Sequence, residues 1–154
     1  MQRTLPFSGY SEGWAQMAEE WMLLEQTKFD RNTAMFVFSN SMLSNAILPS
    51  ILSIYVNYHG YTKEEVRTYL EQYGLSQDAY VDLYYALAVD SPFQTLRYGI
   101  GYAELSAMMQ RMSETQGEMF DQRETLDYYL KLGPAYYSLL FERMDEWADA
   151  KVLE

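Results

Sequence analysis

Apolar side chains recur at intervals of three and four along most of the chain, and glycine and proline only punctuate it; that period is helical. Trp14, Met17, Ala18, Trp21 and Met22 form one stripe, with Gln16, Glu19 and Glu20 turned away. This predicts an amphipathic helix with Ser11 as its N-cap, closing near Lys28. A second run, from about Thr33 to Asn57, contains Pro49, which removes a backbone donor and crowds the preceding turn, so a kink or break is predicted there. Thr62-Lys63-Glu64-Glu65 has the capping-box pattern; Val66, Tyr69, Leu70 and Tyr73 share a face behind it, and Gly74 supplies a C-terminal stop. Ser76 is a candidate cap for the next helix, whose stripe is Tyr80, Tyr84 and Leu87. Ser91-Pro92 opens a long helix reaching about Thr115, with Gly99 and Gly101 inside it. An interior glycine costs about 1 kcal/mol relative to alanine, so the pair marks a close approach of backbone or ligand, tight helix packing being the simpler cause. Asp121-Gln122-Arg123-Glu124 is an acidic form of the capping box; Gly133-Pro134 ends that helix and starts the last, with Tyr137, Leu140, Phe141, Met144 and Trp147 as its buried stripe. The expectation is an all-α, single-domain multi-helix bundle of about six to seven helices over residues 1–154, with a Pro-kinked second helix.

Length agrees with one domain, since 154 residues can bury one sizeable core. Eleven basic against 22 acidic side chains give a net charge of −11 with no basic patch, which argues against nucleic acid or an anionic membrane surface as partner. The absence of cysteine excludes disulfides and thiolate metal sites and leaves the compartment open. Met42 to Val56, the most apolar stretch, is interrupted by Ser44, Asn45, Pro49, Ser50 and Ser53 and falls short of the ~20 apolar residues a membrane span needs, so a core helix is expected. Residues 1–10 lack signal-peptide character, and Met1 is followed by what reads as the interior of a longer protein.

The single histidine, His59 in NYHGYT between two predicted helices, suits a loop or cap better than a ligand. It permits neither a histidine-rich zinc site nor a serine–histidine pair near a nucleophile motif. The 15 tyrosines raise the idea of a sugar-stacking surface, but most fall on helical stripes where a ring packs inside and its hydroxyl reaches water. The ten methionines read as core filler, and the acidic surplus, without calcium-loop spacing, as a solvated face.

Four stretches carry a resemblance: LPFSGYSEGWAQMAEE, VNYHGYTKEEVRTYL, PFQTLRYGIGYAELSAMM and GEMFDQRETLDYYLKLGPAYYSLL. Together and in this order they resemble the bacterial domain-of-unknown-function family 885, zincin-like proteins whose upstream portion carries a His-Glu-x-x-His type motif. The resemblance covers nearly the whole chain. It implies two zinc-binding histidines on one helix turn, a glutamate between them as general base, and a glutamate on a later helix as third ligand. Glu12 matches that third ligand, and the histidine pair would precede Met1. Tyr98 in LRYGIGY matches a family tyrosine whose hydroxyl, after an arginine, would stabilise a tetrahedral oxyanion; a core tyrosine is the competing reading. Asn57 stands where the pattern has histidine or asparagine and would either orient substrate or cap the second helix. Gly13 and Trp14 are assigned packing roles.

Two departures weaken catalysis: Ser53 stands where an acid is expected before the turn, and Thr125-Leu126 where the family shows Phe-His. The leading expectation is therefore the C-terminal helical region of a zinc-dependent peptidase-like protein, inactive alone. Zn²⁺ would be bound in the full-length parent but not held by this part by itself. Its partners would be the His-Glu-x-x-His-bearing half and a peptide-like substrate. The alternative is a non-catalytic helical binding module with a decayed site, able to form a homodimer through apolar faces. Members of such families are often exported, so extracytoplasmic placement in a bacterium is what the resemblance adds to an otherwise open compartment.

Overall fold

The computed structural model describes residues 7–26 and 28–153. They form an all-α fold, with no strand among the described residues. The helices are α1 (Ser8–Gln26), α2 (Arg31–Asn57, with a π turn at Leu43–Ile47), α3 (Lys63–Glu71), α4 (Asp78–Asp90), α5 (Leu96–Gln116), α6 (Gln122–Leu132) and α7 (Tyr137–Val152). A short 3₁₀ turn, Gly117–Met119, follows α5. The chain divides into two compact units, Ala18–Ile100 and Met1–Met17 with Gly101–Glu154.

In the unit Ala18–Ile100, α2 does not break at proline. Pro49 has no N–H for the carbonyl of residue 45, and its ring would collide with that carbonyl in α geometry. The wider π turn immediately before it removes the conflict, and the helix runs on to Asn57. By length and composition this 27-residue helix could cross a membrane. A buried core helix satisfies the same criterion, and Leu48 and Leu52 of its second half are fully buried against Val66, Leu70, Val81 and Tyr84 of α3 and α4. The first half differs: Ala34, Phe38 and Met42 point inward, whereas Met35, Phe36 and Val37 are exposed.

The capping box before α3 is present in both directions, with the Thr62 amide donating to Glu65 Oε2 at 2.7 Å and the Glu65 amide to Thr62 Oγ1 at 3.3 Å. Other predicted starts move. Asp30 caps α2 by accepting from the Thr33 amide at 3.1 Å, so the helix begins before Thr33. Gln77, not Ser76, precedes α4, and the Ser76 carbonyl instead accepts from Arg67 Nη1 at 2.7 Å. Tyr80 is exposed, and the buried stripe of α4 is Val81, Tyr84 and Ala88.

Ser91-Pro92 does not begin a helix; α5 starts at Leu96. The reason lies on α2, whose side chains hold the intervening turn. Ser50 Oγ donates to the Thr95 carbonyl at 2.9 Å, and Ser53 Oγ accepts from the Phe93 amide at 2.8 Å. Phe93 has φ 60°, a left-handed conformation uncommon for a bulky residue. With Ser53 only 1% exposed, Ser53→Ala leaves the Phe93 N–H without this acceptor. A loss of about 1–3 kcal/mol is expected in urea unfolding; an unchanged midpoint would show that the turn does not depend on this bond.

In the unit Met1–Met17 with Gly101–Glu154, the buried side chains are mainly Met17, Leu105, Met108, Met112, Leu126, Tyr129, Leu140 and Met144. Gly133 ends α6 at φ 74°, and α7 begins at Tyr137 rather than Pro134. Asp121 caps α6 by accepting from the Glu124 amide at 2.9 Å, while the Glu124 carboxylate pairs with Lys151 of α7. Arg111 of α5 makes two bonds of 2.6 Å to the carboxylate of Asp145 on α7.

Candidate functional site

Glu12 lies in the second turn of α1, half-buried, between Tyr10 and the fully packed Gly13. Helix geometry fixes the carboxylate's direction, and two devices fix that part of the helix. The first is a backbone contact: a Cβ on Gly13 would lie 2.3 Å from the Gly101 carbonyl oxygen, and one on Gly101 would lie 2.4 Å from the Gly9 carbonyl oxygen. Nothing larger than glycine fits at Gly13 or Gly101 where α1 and α5 cross, whereas a Cβ on Gly9 would only touch the Tyr137 ring at 3.4 Å. The packing role assigned to Gly13 is therefore met, and Gly101 has the same cause.

The second device is a set of tyrosines. The Tyr137 hydroxyl points at two carbonyl oxygens, Gly9 at 2.8 Å and Gly101 at 3.1 Å, and so ties α7 to both sides of the glycine contact. Tyr10 stacks on Tyr129 with ring centroids 4.6 Å apart and donates its hydroxyl to the Tyr129 carbonyl at 3.3 Å. Phe7, Ser8, Gly9, Tyr10, Ala135, Tyr136 and Tyr137 line a cavity of about 210 Å³ beside the start of α1. Sequence reasoning missed this cluster, because Tyr10 and Tyr129 belong to no stripe it singled out. The small-residue spacing of Gly9 and Gly13 is the signal that could have found it.

Burial, with the charge of Glu104, pushes the Tyr137 hydroxyl up to about 12, and burial raises Tyr129 still further. A tyrosine held neutral in the folded state contributes stability that is complete below its unfolded pKa of about 10 and is lost as pH rises through the folded value. Alkaline unfolding should therefore set in between about pH 10 and 12. The Tyr129 hydroxyl is buried beside that of Tyr137. Tyr129→Phe is expected to change stability little at pH 7 and to flatten the alkaline limb, followed by circular dichroism against pH. An unaltered alkaline limb would show that Tyr129 does not titrate in unfolding.

Tyr98 and Asn57 belong to the other unit. Tyr98 is half-buried in the first turn of α5. Arg97 Nη2 donates to its hydroxyl oxygen at 3.1 Å and the guanidinium lies 4.9 Å from its ring centre, so the oxygen accepts and its own proton can be donated elsewhere. Asn57 ends α2, and its amide nitrogen donates at 2.9 Å to the Ser53 carbonyl and at 2.9 Å to the Ala88 carbonyl of α4. Those two bonds use both amide protons and leave the amide oxygen as an acceptor. Ser53 is occupied by the Phe93 turn, and Leu126 is a core residue 6% exposed. His59 is exposed, its ring 5.0 Å from Tyr58 and 5.7 Å from Tyr55.

Among the described residues no group of three His, Cys, Asp or Glu side chains could hold a metal ion. The donor set offers Glu12 as one carboxylate on a rigid helix, which fits one ligand position and not a complete site. The family described as "Bacterial protein of unknown function (DUF885)" matches residues 1–144. Comparison with curated proteins and with solved structures gives no match.

Proposed function

The chain belongs to that bacterial family, and from this membership we propose that it is the C-terminal helical region of a zinc-dependent peptidase-like protein, to which it contributes Glu12 as third metal ligand and a wall of the substrate cleft. One observation carries the reading: the Glu-Gly-Trp-Ala segment falls on α1 where the backbone is fixed against Gly101, so Glu12 is presented from a rigid element, as a metal ligand requires. The zinc-binding histidines would be supplied from outside this chain, and the metal would act as a Lewis acid toward a peptide-like carbonyl. Within this chain Arg97 orients the Tyr98 hydroxyl, whose proton is available to a developing oxyanion, and Asn57 positions the end of α2 against α4. The test is the encoded sequence that precedes residue 1. A His-Glu-x-x-His segment there supports the reading; its absence turns the assignment to the second one.

That second reading, a non-catalytic helical binding module, is favoured by Met35, Phe36 and Val37 on the outer side of α2, where Phe36 is 73% exposed. Three adjacent large apolar side chains in water suit a surface that another protein covers. The structural uses of Ser53 and Leu126 agree with a site that has lost catalytic groups.

A further inference from the structure

A second cavity, of about 260 Å³, lies in the unit Ala18–Ile100 and is lined by Tyr61, Glu65, Thr68 and Tyr69. Its aromatic walls are held by further rings. Tyr55 stacks on Tyr61 with centroids 4.8 Å apart and meets Tyr69 edge-on at 5.2 Å, while the Tyr69 hydroxyl is 3.4 Å from that of Tyr73. One face of Tyr61 is thus covered by Tyr55, and Tyr61 and Tyr69 both border the cavity.

Its charge is carried by one carboxylate. Glu65 accepts from the Thr62 amide at 2.7 Å and the Thr62 hydroxyl at 2.8 Å, both on Oε2, and these bonds hold its pKa below the usual carboxylate value. The neighbouring cations of α3 are already matched, Lys63 to Asp82 and Arg67 to Glu64 and Asp78. Glu65 pairs with no cation among the described residues. The start of α3 carries a partial positive charge of about half a unit, which the full charge of Glu65 outweighs. A net charge of −11 further favours the approach of cations. The polar groups of the lining are Glu65, Thr68 and two phenol hydroxyls, that of Tyr69 turned to Tyr73, and ring faces beside a carboxylate match an alkylated ammonium.

We infer that this cavity binds the alkylated ammonium head group of an organic cation, with Tyr61 and Tyr69 supplying ring faces and Glu65 the counter-charge. Choline and its uncharged isostere 3,3-dimethylbutan-1-ol are the probes, titrated while tyrosine ring signals are followed by NMR. Choline should saturate, and the isostere should bind at least about threefold more weakly. Glu65→Gln keeps the capping box, in which glutamine serves as well as glutamate, so α3 stays folded while the charge is removed. It should weaken choline by about three- to fivefold and leave the isostere unchanged. Tyr61→Leu should abolish saturation by choline. Equal binding of the two probes, a Glu65→Gln variant that binds choline like the parent, or no saturable shift up to the solubility limit of choline chloride would each overturn the assignment. Phosphatidylcholine vesicles separate the sources: co-sedimentation reversed by free choline places the head group on a lipid, and choline binding without co-sedimentation places it on a free molecule.

Discussion

Gly101→Val should be among the most destabilising single substitutions in the chain. The first atom of any side chain at Gly101 would lie 2.4 Å from the Gly9 carbonyl oxygen and 3.0 Å from the Gly13 amide nitrogen, and both obstacles are backbone. A carbon and an oxygen settle more than 3 Å apart, so α1 and α5 must separate by about 1 Å before even alanine fits, and the branched side chain requires more. Separation stretches the bonds from the Tyr137 hydroxyl to Gly9 and Gly101, which cannot both survive. The combined loss is about 3–5 kcal/mol, at the high end for one residue. For a chain of this length that lowers Tm by on the order of 10 °C. Gly99→Ala gives the comparison. Its Cβ would meet the Ser50 hydroxyl at 2.7 Å and the Ala46 carbonyl oxygen at 3.0 Å, and since the shortest contact is with a side chain and not with backbone the conflict is milder and the expected shift smaller. Thermal melts of both variants by circular dichroism check the ranking, and a Gly101→Val melt within a degree of the parent would refute the contact.

The helices were legible in the sequence because their apolar period is strong, and the Thr62–Glu65 capping box because its two bonds depend on residues three apart. The conflict at Pro49 was legible too, but not its resolution. Whether a helix breaks or widens into a π turn depends on the packing of Leu48 and Leu52 against α3 and α4, which makes continuing the helix the better outcome. The turn before α5 was misread for a related reason. Ser91-Pro92 is a sound local start signal, yet Ser50, some 40 residues earlier, donates to the Thr95 carbonyl and Ser53 accepts from the Phe93 amide, which holds both outside a helix. Met22 was placed in a buried stripe and is 66% exposed, because α1 buries Tyr10, Gly13 and Met17 instead. A hydrophobicity pattern has no weight for glycine, and here glycine is the contact.

The candidate site divides in the same way. Nothing local distinguished Glu12 among the 22 acidic residues; resemblance alone singled it out. Asn57 had two readings in the sequence, and its amide is engaged with two carbonyls. The tyrosines around Gly9 were not legible, since Tyr10, Tyr129 and Tyr137 meet only through tertiary structure.

The zinc content of the protein expressed together with the residues encoded upstream tests the assignment of Glu12 most directly. Two neutral imidazoles and one carboxylate hold zinc in a site with an open position, and exchanging the carboxylate for its uncharged isostere removes both a strong donor and half of the compensating charge. Loss of supporting groups around such sites already weakens metal by ten- to a hundredfold, so Glu12→Gln should lower affinity by on the order of a hundredfold or more. The expected result is close to one zinc per chain for the parent and little after dialysis for Glu12→Gln. A Glu12→Gln protein that retains the parent's full zinc, or a parent that takes up none, would contradict the account.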